Sequence, residues 1–141
     1  MHYFAESIVV GLYCVTIFWM LRPYILDKNA LFFLTGFSKH LFGWILGLQT
    51  YYCKFGNACE RYNSGANTMR SFSFKGQMFA ESLAEGLLFL VLLQILFKIV
   101  NNTLNKYVIL FLLGVLLHLS FELSGIHHRF CLENCNRKSH Y

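Results

Sequence analysis

Several ionisable side chains of this sequence stand inside long apolar stretches. A charged group in apolar surroundings is costly, so it normally has a partner or a function there. Six of these side chains are Lys39, His40, Glu81, Glu85, His118 and Glu122. The two histidines lie near the middle of their stretches, and Glu122 follows His118 by one helical turn. These side chains are the candidate functional residues of the chain.

Three kinds of chemistry fit the two histidines. Opposed imidazoles could bind a haem iron from both sides, or they could relay protons together with Glu85 and Glu122. Alternatively, each histidine forms a hydrogen bond to a neighbouring helix and holds a bundle together. We favour the structural alternative and predict no cofactor. Glu6 and Glu81 stand in the first turn of their stretches, where a carboxylate complements the helix dipole.

The chain has five cysteines, and four of them form two pairs at the ends of apolar stretches. Cys53 and Cys59 enclose five residues, whereas Cys131 and Cys135 enclose three. Each pair begins in the same frame, Gly-x5-Cys, with an aromatic residue before the first cysteine. We predict one short disulfide within each pair, each contributing roughly 2 kcal/mol by closing its loop. Cys14 is expected to be a small buried apolar residue.

The compartment of the cysteine pairs stays open. Seven of the twelve Lys and Arg residues fall on the side of the cysteines, four fall on the other side, and Lys39 lies in an apolar stretch. This excess places the cysteines in the cytosol, where reduced thiols would sooner bind zinc, with His127 or His128 as a further ligand. Because the spacings are loose for a zinc site, we favour disulfides, which require an oxidising environment.

Four apolar stretches must position these residues: about 4–22, 30–50, 79–98 and 107–126. Hydrophobic residues make up 56% of the 141 residues and charged residues 13%, against about a quarter charged in soluble domains. The stretches lack the polar face of a soluble surface helix, and a chain of this length has no core that could bury four of them. We therefore predict an all-α membrane four-helix bundle, with the lipid bilayer as partner and no nucleic acid.

The second half of the sequence repeats the first. Phe-Ala-Glu-Ser at 4–7 recurs 75 residues later at 79–82, and His40 recurs 78 residues later as His118. We predict two tandem helical hairpins related by a pseudo-twofold axis along the membrane normal, which places both termini and both cysteine segments on one side. The predicted segments are a first repeat at 1–59, a polar connector at 60–77 and a second repeat at 78–141.

Glycines and the histidine in the first histidine-bearing stretch recur at spacings of four, three and four residues, and the glycines, His118 and Glu122 of the second stretch also recur at spacings of three and four residues. Such spacings place them on one stripe of a helix, and small residues let membrane helices approach closely. We therefore predict that helix packing uses Gly36, Gly43, Gly47, Gly114 and Gly125.

The segment from Gly47 to Cys59 resembles the helix ends of small multi-pass proteins encoded by large nucleocytoplasmic DNA viruses. The resemblance covers residues 44–59 and, more weakly, 122–135. It implies a virion inner membrane or a host membrane. It also implies a virus-supplied system for thiol oxidation, which would reconcile disulfides with a cytosolic face.

Three functions are compatible with these features. We favour a structural or scaffolding membrane protein without chemistry of its own, which forms homo-oligomers or binds other membrane proteins. A four-helix bundle with cysteines is also similar in outline to disulfide-forming or haem- and quinone-linked membrane oxidoreductases, but those use a Cys-x2-Cys pair at a helix end, a spacing that neither pair has. A small channel or proton carrier would use the histidines and glutamates.

Overall fold

The computed structural model describes residues 3–62, 76–100 and 103–135. Its elements are α1 (Tyr3–Leu21), α2 (Lys28–Ile45), α3 (Leu48–Phe55), α4 (Asn57–Tyr62), α5 (Gln77–Ile99), α6 (Lys106–Leu123) and α7 (Ile126–Asn134). All of these elements are helices, so the predicted all-α class is confirmed. Most of the predicted connector lies outside the described residues.

The long helices begin and end where local chemistry dictates. The side chain of Asp27 accepts a hydrogen bond from the backbone N of Ala30 at 2.7 Å and caps α2. Asn105 does the same for α6, accepting from the backbone N of Tyr107 at 3.0 Å. These side chains satisfy amide groups that have no partner within the helix. Helix α1 ends two residues before Pro23, which disfavours helical geometry in the residue that precedes it.

Two of the predicted helices, at 30–50 and 107–126, are too long. Helix α2 ends at Ile45 and α6 at Leu123, and the chain turns at Gly47 and Gly125 into α3 and α7. Both glycines adopt left-handed backbone geometry, with φ of 72° and 78°, which glycine tolerates because it has no Cβ. The bend between α2 and α3 is 71°.

This geometry overturns the packing role predicted for Gly47 and Gly125. A Cβ added to either glycine would meet no atom within 4 Å, so these residues make turns and not helix contacts. At Gly114, in contrast, an added Cβ would lie 2.9 Å from the Cα of Gly11. At Gly36 it would lie 2.7 Å from the carbonyl oxygen of Glu85. A Cβ on Gly43 would meet only the end of a glutamine side chain, 3.2 Å away.

Each long helix packs mainly against a helix of the other predicted hairpin. Helix α1 lies against α6, and α2 lies against α5. The core between them contains fully buried Phe18, Phe89, Leu93 and Leu110. A second, smaller buried cluster lies where α3 and α4 meet α7 and is formed by Cys53, Ala58, Cys59, Cys131 and Cys135.

Among the described residues, α1, α6 and residues 78–99 of α5 are long and apolar enough to cross a membrane. Helix α2 reaches that length only together with α3, as a bent pair. The outer faces of these helices carry large exposed apolar side chains, such as Leu12 on α1, Leu87 on α5 and Leu116 on α6. By length and composition, the described part of the chain has three or four candidate membrane spans.

Candidate functional site

A cavity of about 550 Å³ lies between the helices of the two halves. Members of two polar clusters line this cavity, and each cluster contains one of the two histidines of the predicted repeat. We call the first the lysine cluster: Lys39, His40, Trp44, Glu81 and Glu85. We call the second the double-histidine cluster: Glu6, Tyr52, Asn57, His118, Glu122 and His127.

The lysine cluster joins α2 to α5. The ammonium group of Lys39 donates to Oε1 of Glu85 and forms an ion pair with it. Nδ1 of His40 lies 2.7 Å from Oε2 of the same carboxylate. Nε2 of His40 lies 3.1 Å from Oε2 of Glu81, and the indole N–H of Trp44 donates to this nitrogen at 2.9 Å.

Both ring nitrogens of His40 therefore have protein partners. An axial haem ligand needs a ring nitrogen free of such contacts. The arrangement is that of an interhelical hydrogen-bond network, in which a lysine and a histidine share one buried glutamate.

The double-histidine cluster joins α1 to α6 and to the short helices. Glu6 is only 5% exposed, and its Oε1 accepts a hydrogen bond from the backbone N of Asn57 at 2.8 Å. Its Oε2 lies 3.4 Å from Nε2 of His118. Neither of these two atoms has a hydrogen-bond partner within the described parts of the chain. Glu6 stands in the first turn of α1 as predicted, but its carboxylate also faces a buried histidine.

Glu122 is the centre of the rest of this cluster. Its carboxylate accepts hydrogen bonds from the hydroxyl of Tyr52 at 3.1 Å and from Nδ2 of Asn57 at 3.0 Å. Nδ1 of His127 lies 2.9 Å from its Oε2, and the rings of His127 and His118 have centroids 4.6 Å apart. Burial lowers the pKa of His127 below its ordinary value. One atom each of His118, Glu122 and His127 falls within 4.8 Å of the other two.

The sequence indicated only part of this cluster. His118 and Glu122 are predicted site residues, whereas the sequence indicates His127 only as a further zinc ligand beside the cysteines. Tyr52 is marked in the sequence only as the aromatic residue before Cys53, and Asn57 is not marked by any pattern. They reach the cluster because the turn at Gly47 directs α3 and α4 across the end of the bundle.

The four paired cysteines form two disulfides, and the predicted pairing is wrong. Cys53 is bonded to Cys135, with Cα atoms 5.6 Å apart, and Cys59 to Cys131, with Cα atoms 5.2 Å apart. Cys131 of α7 and Cys135, the C-cap of that helix, are four residues apart and lie on the same side of it, facing Cys59 of α4 and Cys53 of α3. The disulfides consequently join the two cysteine segments to each other, and their sulfurs are not available to zinc. Cys14 is a buried free cysteine.

The chain matches no protein-family model, no curated protein and no solved structure. The resemblance to viral membrane proteins therefore stays a prediction. Any function must be argued from the contacts described above.

Proposed function

We propose that this chain is a multi-pass integral membrane protein whose two hairpins lock together as a structural or scaffolding unit. One observation carries the proposal: both disulfides and most polar contacts of the two clusters join the first half to the second. Lys39 and His40 bind α5, Glu6 lies against His118 of α6, and Asn57 holds a carboxylate from each half. A buried polar network of this kind favours one arrangement of helices over others.

Paired contacts support the duplication of the hairpins. Glu6 corresponds to Glu81 at the offset of 75 residues, and His40 corresponds to His118 at the offset of 78. The two resulting glutamate–histidine contacts, at 3.4 Å and 3.1 Å, are equivalent across the halves.

The cysteine segments support the same relation. Each follows a left-handed glycine that begins a short helix. If Cys53 corresponds to Cys131 and Cys59 to Cys135, the relation exchanges the two disulfides. A pseudo-twofold axis has this property, because it converts each contact between the halves into the other.

The distribution of side chains supports a bilayer as the surroundings. Large apolar side chains cover the outer faces of α1, α5 and α6, whereas Lys39, Glu85 and His118 point inward. Ionisable groups in membrane proteins normally face the interior of the bundle. A virion inner membrane or a host membrane is the location that the viral resemblance predicts, and a second copy or another membrane protein is the proposed partner.

Topology mapping tests the membrane arrangement. The full chain is expressed in two versions, with an epitope tag at one end or at the other. We expect both versions to stay with the membranes after alkaline carbonate extraction. Four spans place both tags on one side, so protease added to sealed vesicles removes both or neither. Tags on opposite sides would contradict the paired hairpins, since an odd number of spans would then be present.

The cavity favours a second candidate function, a proton carrier, because His40, His118 and His127 all border it. Reconstitution in liposomes that contain a pH-sensitive dye separates the two functions. If the protein is a scaffold, an imposed pH gradient decays as slowly in liposomes that contain it as in empty liposomes. Faster decay that His40→Gln abolishes would replace the scaffold with the carrier.

A further inference from the structure

We propose that the double-histidine cluster binds one divalent transition-metal ion, with Zn²⁺ as the best fit and His118, Glu122, His127 and Glu6 as its ligands. Neither scaffolding nor the locking of the hairpins requires such a site. The inference therefore goes beyond the proposed function and fails or holds independently of it.

The donor set has the composition of a transition-metal site. Imidazole nitrogens and carboxylate oxygens are common ligands of zinc, which takes four of them in a tetrahedral arrangement. His118 and Glu122 lie four residues apart on α6, so both point from one face of the helix. The turn at Gly125 brings His127 back towards them, and one atom of each of the three residues falls within 4.8 Å of the others.

Two buried atoms of the cluster lack hydrogen bonds. Oε2 of Glu6 and Nε2 of His118 belong to side chains that are 5% and 7% exposed as residues, and neither atom has a hydrogen-bond partner among the described residues. A buried polar atom without a hydrogen-bond partner is unfavourable, because it loses its hydrogen bonds to water and gains none from the protein. The two atoms are 3.4 Å apart. Two ligands of a tetrahedral zinc ion with bonds of about 2.1 Å are separated by about 3.4 Å, so one ion satisfies both atoms.

The surrounding hydrogen bonds orient the carboxylates as an outer shell of a metal site does. Asn57 holds Oε1 of Glu6 with its backbone N, at 2.8 Å, and Oε1 of Glu122 with its side-chain Nδ2, at 3.0 Å. The second oxygen of each carboxylate thereby faces the histidines. Tyr52 donates to Oε2 of Glu122 at 3.1 Å, which steadies that oxygen.

One contact must change when the ion enters. His127 Nδ1 and Glu122 Oε2 are 2.9 Å apart, the separation of a hydrogen bond. A metal ion bound to Nδ1 takes the place of the proton held between these atoms, and the neutral imidazole then carries its one proton on Nε2.

The lysine cluster provides the internal contrast. There the ammonium group of Lys39 already neutralises Glu85, and both nitrogens of His40 contact protein groups. A second cation would be repelled by Lys39. At the corresponding positions of the second half, Leu117 replaces the lysine and Glu122 replaces Trp44, which exchanges a cation and an indole for an apolar group and a carboxylate.

Calorimetric titration tests the site. The oxidised full chain in detergent, freed of metal with a chelator, is titrated with Zn²⁺. We expect one ion per chain, with affinity weakened roughly tenfold or more by His118→Gln and by His127→Gln. His40→Gln is the matched control and leaves the affinity unchanged. Saturable binding that survives the double variant His118→Gln/His127→Gln, or that His40→Gln weakens equally, overturns the site.

Co²⁺ provides a measurement on the wild-type chain that does not depend on the folding of a variant. Binding at nitrogen and oxygen ligands produces the visible absorption of tetrahedral cobalt without a thiolate charge-transfer band. A thiolate band would assign the ion to cysteines and overturn the proposal, as would the absence of saturable binding of either metal to the wild-type chain.

Discussion

The lysine cluster and the double-histidine cluster share one contact and differ in the residues around it. Each contains a glutamate from the N-terminal part of one helix beside a histidine from the C-terminal half of its neighbour: Glu81 with His40, and Glu6 with His118. In the first cluster a lysine and a tryptophan complete the contacts. In the second cluster, Oε2 of Glu6 and Nε2 of His118 are buried and have no hydrogen-bond partner among the described residues.

The role of each cluster therefore depends on the balance of charges around the histidine and not on the histidine itself. The lysine cluster contains its own cation, so its contacts are closed and structural. The double-histidine cluster has carboxylates and imidazoles without an ammonium group among its members, which is the composition that a metal ion completes.

Loss of the shared carboxylate of the lysine cluster has the largest expected effect. Glu85→Gln leaves the buried Lys39 ammonium without its counter-charge and destabilises the protein by about 3–5 kcal/mol. Glu6→Gln, the matched change in the other cluster, costs about 1 kcal/mol in metal-free protein, because it leaves no ammonium group unpaired. Thermal unfolding in detergent compares the two variants. Equal losses would remove the proposed difference in charge balance.

Loss of a disulfide affects the double-histidine cluster selectively. Cys59→Ser/Cys131→Ser removes one link between α4 and α7, which carry Asn57 and His127, and costs about 2–4 kcal/mol. The histidine NMR signals of His118 and His127 are expected to shift, whereas that of His40 stays in place. A shift of His40 as large as that of His127 would contradict the separation of the clusters.

The disulfide pairing is checked first by peptide mapping under non-reducing conditions. We expect peptides that link Cys53 to Cys135 and Cys59 to Cys131. Peptides with Cys53 bonded to Cys59 would restore the pairing within each repeat. The mapping also checks for a bond between Cys59 and Cys135, because their Sγ atoms lie only 3.8 Å apart.

Alanine at two close helix contacts has an intermediate effect. Gly36→Ala and Gly114→Ala each place a Cβ under 3 Å from the neighbouring helix and cost about 1–3 kcal/mol. Gly43→Ala is the control, since its Cβ meets only a flexible glutamine, and the gain in helix propensity is at most about 1 kcal/mol. Similar losses of stability at Gly36 and Gly114 in thermal unfolding would support equivalent packing of the two helix pairs, α2 with α5 and α6 with α1. A loss at only one of them would contradict it.

The caps of α2 and α6 have the smallest effect, and here the halves should respond alike. Asp27→Ala and Asn105→Ala each remove a side chain that accepts from a helical amide, at a cost of about 1 kcal/mol. Denaturation of both variants measures the losses side by side. A difference between them larger than the cap energy itself would show that the two halves differ outside their clusters as well.

Composition and the spacing of apolar residues were sufficient to predict the all-α class and the presence of helices apolar enough to cross a membrane. These properties depend on neighbours along the chain and on the removal of apolar surface from water. The predicted ends of the histidine-bearing helices were wrong because a glycine in an apolar run has two uses. It can permit a close helix contact, as Gly114 does, or a left-handed turn, as Gly125 does.

The pairing of the cysteines and the full membership of each cluster follow from the tertiary structure. From the sequence alone, four cysteines are seen to lie at the ends of two apolar stretches, but it is not seen that the turns at Gly47 and Gly125 bring those ends together. Tyr52 and Asn57 enter the double-histidine cluster for the same reason. Contacts between distant segments depend on the direction in which each helix leaves its turn, and that direction is set by packing against the other half rather than by local sequence.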